Sequence, residues 1–167
     1  MRMCKTGQAG MSLYIKAFGA WQEFYPASYF EAHDVWTRLT LESGWADWHD
    51  SNTAYYPASY KVDLSGWVHL RGLVKSSGAA WNSTFAYLPA PIRPAKRTSG
   101  VSISGDDSSP PAASTQHELF FSMREDGQLK FHYKGTSTSA FWHTIDNNSY
   151  YIGVLRAREY YKSKGII

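Results

Sequence analysis

Cysteine is all but missing from this chain. Cys4 stands alone, so no internal disulfide can form and packing must hold the fold. At 167 residues a sizeable core is attainable without disulfides or metal. Long apolar runs are missing too. No stretch approaches the roughly 18 consecutive apolar residues of a membrane-spanning helix. The opening Met1-Arg2-Met3-Cys4-Lys5-Thr6 lacks the apolar segment of a signal peptide. The expectation is a protein made in a cytoplasm that reaches the outside only by lysis or within a particle, without membrane insertion.

Catalytic signatures are equally scarce. There is no Gly-x-Ser-x-Gly elbow, no HExxH pair, no Cys/His metal spacing and no glycine-rich phosphate loop. Cys4 has no base beside it in sequence. Asp106, Asp107, Glu118, Glu125 and Asp126 are present, but nothing in the sequence pairs two of them across a cleft, as glycoside hydrolysis requires. The expectation is a chain that is not an enzyme, with no catalytic residue, no cofactor and no metal. Asp47, His49 and Asp50 form the densest polar cluster, flanking Trp48. Hydrogen bonding around a turn explains them more simply than a cation does.

An excess of one charge is absent from most of the chain. The net charge is +3. Residues 154 to 167 hold Arg156, Arg158, Lys162 and Lys164 against Glu159 alone, which accounts for all of it. The remaining body is neutral and lacks the basic excess of a nucleic-acid-binding domain. The end of the chain reads as a solvated basic tail.

Aromatic residues are abundant: seven tryptophans, twelve tyrosines and eight phenylalanines. They favour strands, and no long window sustains a helical i, i+3, i+4, i+7 pattern. Short strand candidates recur with turn signals between them. They are 12–18, 35–41, 58–63, 67–75, 84–88, 101–104, 117–124, 128–133, 141–145 and 150–154. The pattern predicts an all-β fold, an antiparallel, jelly-roll-like β-sandwich with N- and C-terminal extensions. The expected division is an attachment arm over 1–34, the sandwich over 35–153 and the basic tail over 154–167.

The clearest hairpin spans 117–133. Leu119, Phe121 and Met123 alternate with Glu118, Phe120, Ser122 and Arg124, and after Asp126-Gly127 Leu129, Phe131 and Tyr133 alternate with Lys130, His132 and Lys134. Leu119, Phe121, Leu129 and Phe131 are expected on one buried face. In the 67–75 strand, Val68, Leu70 and Val74 share one face, and Trp67, His69, Arg71 and Leu73 share the other. That second face is too apolar to be simply solvated, so these four are candidate subunit-interface residues. Trp45 is expected in the core and Trp48 outside it. Residues after Ile103 form a polar, proline-bearing loop.

Two features point to binding. Trp48, His49, Asp50, Asn52, Tyr55 and Tyr56 set aromatic rings beside short polar groups, a mixture suited to stacking on sugars and bonding their hydroxyls. The 105–113 loop is a candidate contributor. Tyr25-Pro26-Ala27-Ser28-Tyr29 recurs as Tyr56-Pro57-Ala58-Ser59-Tyr60, and in the same register Trp36 matches Trp67 and Leu39 matches Leu70. Two copies are too few for a solenoid. They read as two similar strand entries, with a duplicated ligand site as the sharper alternative.

Four landmarks carry a resemblance. They are Leu41-Glu42-Ser43-Gly44-Trp45; Ala58-Ser59-Tyr60-Lys61 with Gly66-Trp67-Val68-His69-Leu70-Arg71-Gly72; Leu88-Pro89-Ala90 with Arg93-Pro94; and Phe141-Trp142-His143-Thr144-Ile145. From Trp36 to about Ile152 the chain resembles the terminal β-sandwich module of bacteriophage tail fibre and minor tail proteins. The resemblance implies a virion structural protein, exposed on the particle surface. It implies partners among copies of itself, as a homotrimer, among other virion proteins and in host-surface glycans, and it brings no catalytic residue. Pro91 stands where the resemblance leads one to expect glycine, which changes the turn expected there. The long shaft usual before such a module is replaced by about 35 residues. A capsid decoration or head-fibre protein without receptor binding is the alternative, and a carbohydrate-binding module of a lysin is a further one.

Overall fold

A computed structural model of the chain describes residues 2–5, 11–17, 20–24, 35–50, 53–76, 83–105, 116–132 and 142–166. The chain divides into two compact units, Met1–Val35 and Trp36–Ile167. In the first, β1 (Arg2–Lys5), β2 (Met11–Ala17) and β3 (Ala20–Phe24) form a three-stranded antiparallel meander. Cys4 lies within β1.

The second unit is a β-sandwich of two antiparallel sheets. One has four strands in the order β14 (Asn148–Tyr151), β7 (Trp67–Arg71), β6 (Ser59–Val62), β4 (Thr37–Arg38). The other has seven, in the order β5 (Trp45–Asp47), β8 (Leu73–Ser76), β13 (Trp142–Thr144), β10 (Thr98–Gly105), β11 (Gln116–Met123), β12 (Gln128–His132), β9 (Thr84–Tyr87). This larger sheet is nearly closed. Leu41 bridges to Ala86 on its β9 edge. The chain then turns at Gly44, whose φ of 86° suits glycine, and enters β5 on the opposite edge.

The hairpin alternation holds. Phe121 faces Phe131 and Met123 faces Leu129 across β11 and β12, and all four are buried along with Leu119. Phe120 points the other way and is exposed. Gly127 takes φ 90° in the connecting turn. Side chains from both sheets join one core: Tyr60, Val62, Val68 and Leu70 from the smaller sheet, and Val74, Phe85, Phe121, Leu129 and Phe131 from the larger. Trp45 is only half-buried, but it packs on that core against Phe85 and Phe131.

Several sequence expectations are corrected. The 67–75 segment is two strands in two sheets. At Gly72 the chain crosses between them with φ 120°. A Cβ there would sit 2.5 Å from the Pro57 carbonyl oxygen and 2.6 Å from the Ala58 Cα, so only glycine fits. Leu73 therefore does not share a face with Trp67, His69 and Arg71, because it is buried on β8. The 35–41 strand shrinks to the two residues of β4 plus the Leu41 bridge. β10 begins earlier than expected and runs to Gly105. Pro91 sits inside a 3-10 turn, Ala90–Ile92, which accommodates the φ that proline fixes.

The largest correction concerns the end of the chain. Residues 154–163 form a helix, α1 (Val154–Ser163), and not a solvated tail. Ala157, Tyr160 and Tyr161 are buried in the sandwich core. Among the described residues no helix is long and apolar enough to cross a membrane.

His143 gives this core a pH limit. It is fully buried on β13, with its ring stacked 4.5 Å from Phe131. Burial pushes its imidazole down to about 3 from 6.5. The unfolded chain therefore binds a proton that the folded chain refuses, and stability must fall as pH drops from about 6.5 toward about 3. His132, pushed down by partial burial and then by Arg97, Lys130 and Arg124, acts in the same direction. Thermal midpoints of wild type and His143→Gln across this range should separate the two. The variant should lose less between neutral and acid pH, and parallel curves would remove His143 from the account.

Candidate functional site

Two crossings between the sheets lie side by side. One is Gly72. The other is the turn at Asp146 and Asn147, between β13 in one sheet and β14 in the other. Asn147 there takes φ 60°, a conformation that asparagine tolerates better than most residues. The Asp146 carboxylate ties the crossings together, accepting the Gly72 N–H at 2.7 Å with Oδ1 and the Thr144 hydroxyl at 3.0 Å with Oδ2. Gly72 O in turn accepts the Ile145 N–H at 2.9 Å.

A groove of about 600 Å³ opens beside these crossings, on the four-stranded sheet. It is lined by Trp36, Tyr56, Lys61, His69, Arg71, the turn residues Asp146 and Asn147, and Asn148 and Ser149 at the start of β14. Register explains the grouping. Lys61, His69 and Ser149 stand opposite one another across β6, β7 and β14. Arg71 lies two residues along β7 from His69, on the same side of the strand. Its guanidinium is held between two rings, 4.1 Å from the centre of Trp36 and 4.2 Å from that of Tyr56. Lys61 Nζ lies 5.2 Å from the Trp36 ring. Such cation–ring contacts contribute about 0.5–2 kcal/mol each, more when water is excluded.

His69 is anchored from outside the groove, with Nε2 3.0 Å from Asp63 Oδ2. Burial works to raise the Asp63 carboxyl. Hydrogen bonds from Ser65, His69 and the Trp67 N–H outweigh it, and the net direction is downward.

The structure divides the residues expected to hold a sugar. Tyr56 faces the groove and is exposed. Trp48 is half-buried, its ring 5.6 Å from Lys75 Nζ and its backbone N–H donating to the Leu73 carbonyl. His49 donates from Nδ1 to the Tyr55 carbonyl at 2.6 Å. Asp50 pairs with Arg38 at 3.1 Å. Asp47 is buried and accepts the Ala58 N–H at 2.7 Å. Burial pushes its carboxyl up, against the hydrogen bond from Ala58 and the charge of Arg38. His49, Asp50 and Asp47 thus make hydrogen bonds and ion pairs that hold the loop in place. Asn52, the Tyr25–Tyr29 copy of the repeat and residues 106–113 lie outside the described residues. No group of three His, Cys, Asp or Glu side chains is placed to hold a metal among the described residues.

The four expected interface residues also separate. His69 and Arg71 belong to the groove and Leu73 to the interior. Trp67 stays exposed against Tyr151, ring centres 5.5 Å apart, and Val154 and Leu155, which open α1, are exposed as well.

Sequence reasoning missed Trp36, Lys61, Asn147 and Ser149 as members of a site. Trp36 had one signal, its match to Trp67 in the repeat register. No protein family, curated protein or solved structure matches the chain.

Proposed function

We propose that the chain is a bacteriophage virion structural protein, a display module of tail-fibre or tail-tip type, and that it binds a host-surface glycan in the groove on the four-stranded sheet. One observation carries the reading. Trp36, Tyr56 and Arg71 converge there with the short polar side chains of Asn147 and Ser149, Arg71 and Ser149 from strands of the sheet and the others from segments that flank it. Aromatic edges beside small hydrogen-bonding groups suit a sugar ring. The site is a binding site and performs no catalysis.

The landmarks of the resemblance support the reading by what they do. Gly44 turns the chain into β5, and Trp45 packs on the core. Gly72 makes the sheet crossing. Ile92, at the end of the Leu88-Pro89-Ala90 segment, accepts the buried Tyr150 hydroxyl at 2.7 Å. These are the parts of one scaffold, and Lys61, His69 and Arg71 lie within the second landmark. The exposed apolar group at Trp67, Tyr151, Val154 and Leu155 supports contact with further copies, as a homotrimer, or with other virion proteins.

Antibody labelling of the intact particle, combined with adsorption of the purified protein to host cells, tests the proposal. The expected result is label on the tail appendage and adsorption that Tyr56→Ala abolishes without unfolding the domain. Label on the head, with no adsorption by wild type, favours a capsid decoration protein instead.

A further inference from the structure

We infer that the groove is built for an anionic saccharide, a sugar whose carboxylate or phosphate accepts hydrogen bonds from the Arg71 guanidinium. The inference rests on the glycan reading and names the class of sugar.

The Arg71 guanidinium lies between two rings, with no partner at its edge among the described residues. Its side chain makes no hydrogen bond or ion pair among the described residues, and Nε is buried without a partner. Buried donors are nearly always paired, so this one marks a demand that the described residues do not meet. The rings contribute cation–π attraction, but they leave the in-plane N–H groups unused. They also hold the guanidinium flat and fixed. A guanidinium so held is a prepared fork for two oxygens of a carboxylate or phosphate, with little left to order on binding.

The surrounding charge agrees. Among the described residues, Lys61 and Arg71 line the groove with one carboxylate, Asp146. Both Asp146 oxygens accept from its own neighbourhood, and it makes no ion pair with Arg71. His69 is turned to Asp63. The body of the chain is neutral in sum, but the described lining residues carry more positive than negative charge. Its volume exceeds what a bare anion fills, and Asn147 and Ser149 offer partners for hydroxyls. The combination fits an acidic sugar better than a neutral one or a free ion.

The test titrates ¹⁵N-labelled full-length protein with glucuronate, glucose 6-phosphate, glucose and inorganic phosphate, followed by amide shifts. Glucuronate or glucose 6-phosphate should shift the amides of β7 and of residues 146–149, and the stronger of the two names the source of the anion. Each should bind at least tenfold more tightly than glucose or phosphate, on the order of the gain from one bidentate charge-assisted pair. Arg71→Lys keeps the charge but loses the fork, and it should remove most of that preference while the spectrum stays dispersed. Arg71→Gln should remove all of it. If glucose binds as well as glucuronate and neither substitution matters, the anionic inference fails and the glycan reading stands. If phosphate alone matches the sugars, the site is an anion site and the saccharide part fails. If none of the four binds the folded protein, the inference and the glycan reading fail together.

Discussion

Phe131→Ala should cost about 3–5 kcal/mol of folding stability, the range for emptying a large aromatic site in a packed core. Phe131 is 1% exposed. Its ring is stacked 4.4 Å from Phe85 on one side and 4.5 Å from His143 on the other, with Trp45 and Phe121 at 5.4 and 5.7 Å. It is the point where β9, β12 and β13 of the larger sheet meet through side chains. Four rings around one site cannot collapse to fill a cavity without giving up their own contacts, which puts the cost high in the range. Urea unfolding of wild type and variant gives the number directly. A loss below about 1 kcal/mol would falsify the assigned strand phase, because a one-residue slip turns Phe131 outward.

That phase was legible in the sequence because period-two alternation depends only on neighbours along the chain. Leu119, Phe121, Met123, Leu129 and Phe131 announce their face without any knowledge of the partner sheet. The 67–75 segment shows where such reasoning fails. Val68, Leu70 and Val74 keep the expected parity and are all buried, yet Gly72 moves the chain from one sheet to the other between them. Alternation cannot register such a crossing. Leu73 is buried because the second sheet gives it an interior of its own. The glycine was the available sign, since an isolated glycine within a strand pattern marks a bend or a close backbone approach.

The site was legible in part for the same reason. Tyr56 and Arg71 were both singled out, one as a sugar ligand and one as an interface residue, and the segment leading into β6 brings the Tyr56 ring centre 4.2 Å from the Arg71 guanidinium. Trp36 and Asn147 join them through pairings between distant segments, which one sequence does not reveal. The loop around Trp48 gave the strongest linear signal for a site because its aromatic and polar residues are adjacent. His49, Asp50 and Asp47 there bond to Tyr55, Arg38 and Ala58, so adjacency reflected a loop that holds itself together.

Ending the chain at Gly153 should leave the sandwich unable to fold, contrary to the expectation of a solvated basic tail outside the sandwich. The helix α1 is ten residues long. Gly153 provides no side-chain cap, and the first turn holds no acidic residue. A helix of this length is marginal alone, so packing must hold it in place. Ala157, Tyr160 and Tyr161 sit at i, i+3 and i+4 and bury one face. That short pattern was the only sign of the helix in the sequence, and the charges around it disguised it. The Tyr161 hydroxyl donates to the Val62 carbonyl, the Tyr160 hydroxyl to the Tyr60 hydroxyl, and Arg156 to the Arg93 carbonyl at 2.7 Å. Truncation would expose Tyr60 and Val62 and leave the buried Val62 carbonyl without its Tyr161 partner. Each large side chain lost from a core costs about 1.5–3 kcal/mol in transfer alone, and each orphaned buried group about 1–3 kcal/mol. Together these reach the roughly 5–15 kcal/mol that a domain has in all. Circular dichroism and sedimentation of the truncated chain should report an unfolded or aggregated product. Tyr161→Phe, which removes only the hydroxyl, should stay folded and lose about 1–3 kcal/mol. Lys162→Gln, on the exposed face, should stay within about 0.5 kcal/mol of wild type. If instead the truncated chain folds with native stability while Lys162→Gln disturbs it, the end of the chain acts through its charge, and the packing assigned to Tyr160 and Tyr161 is wrong.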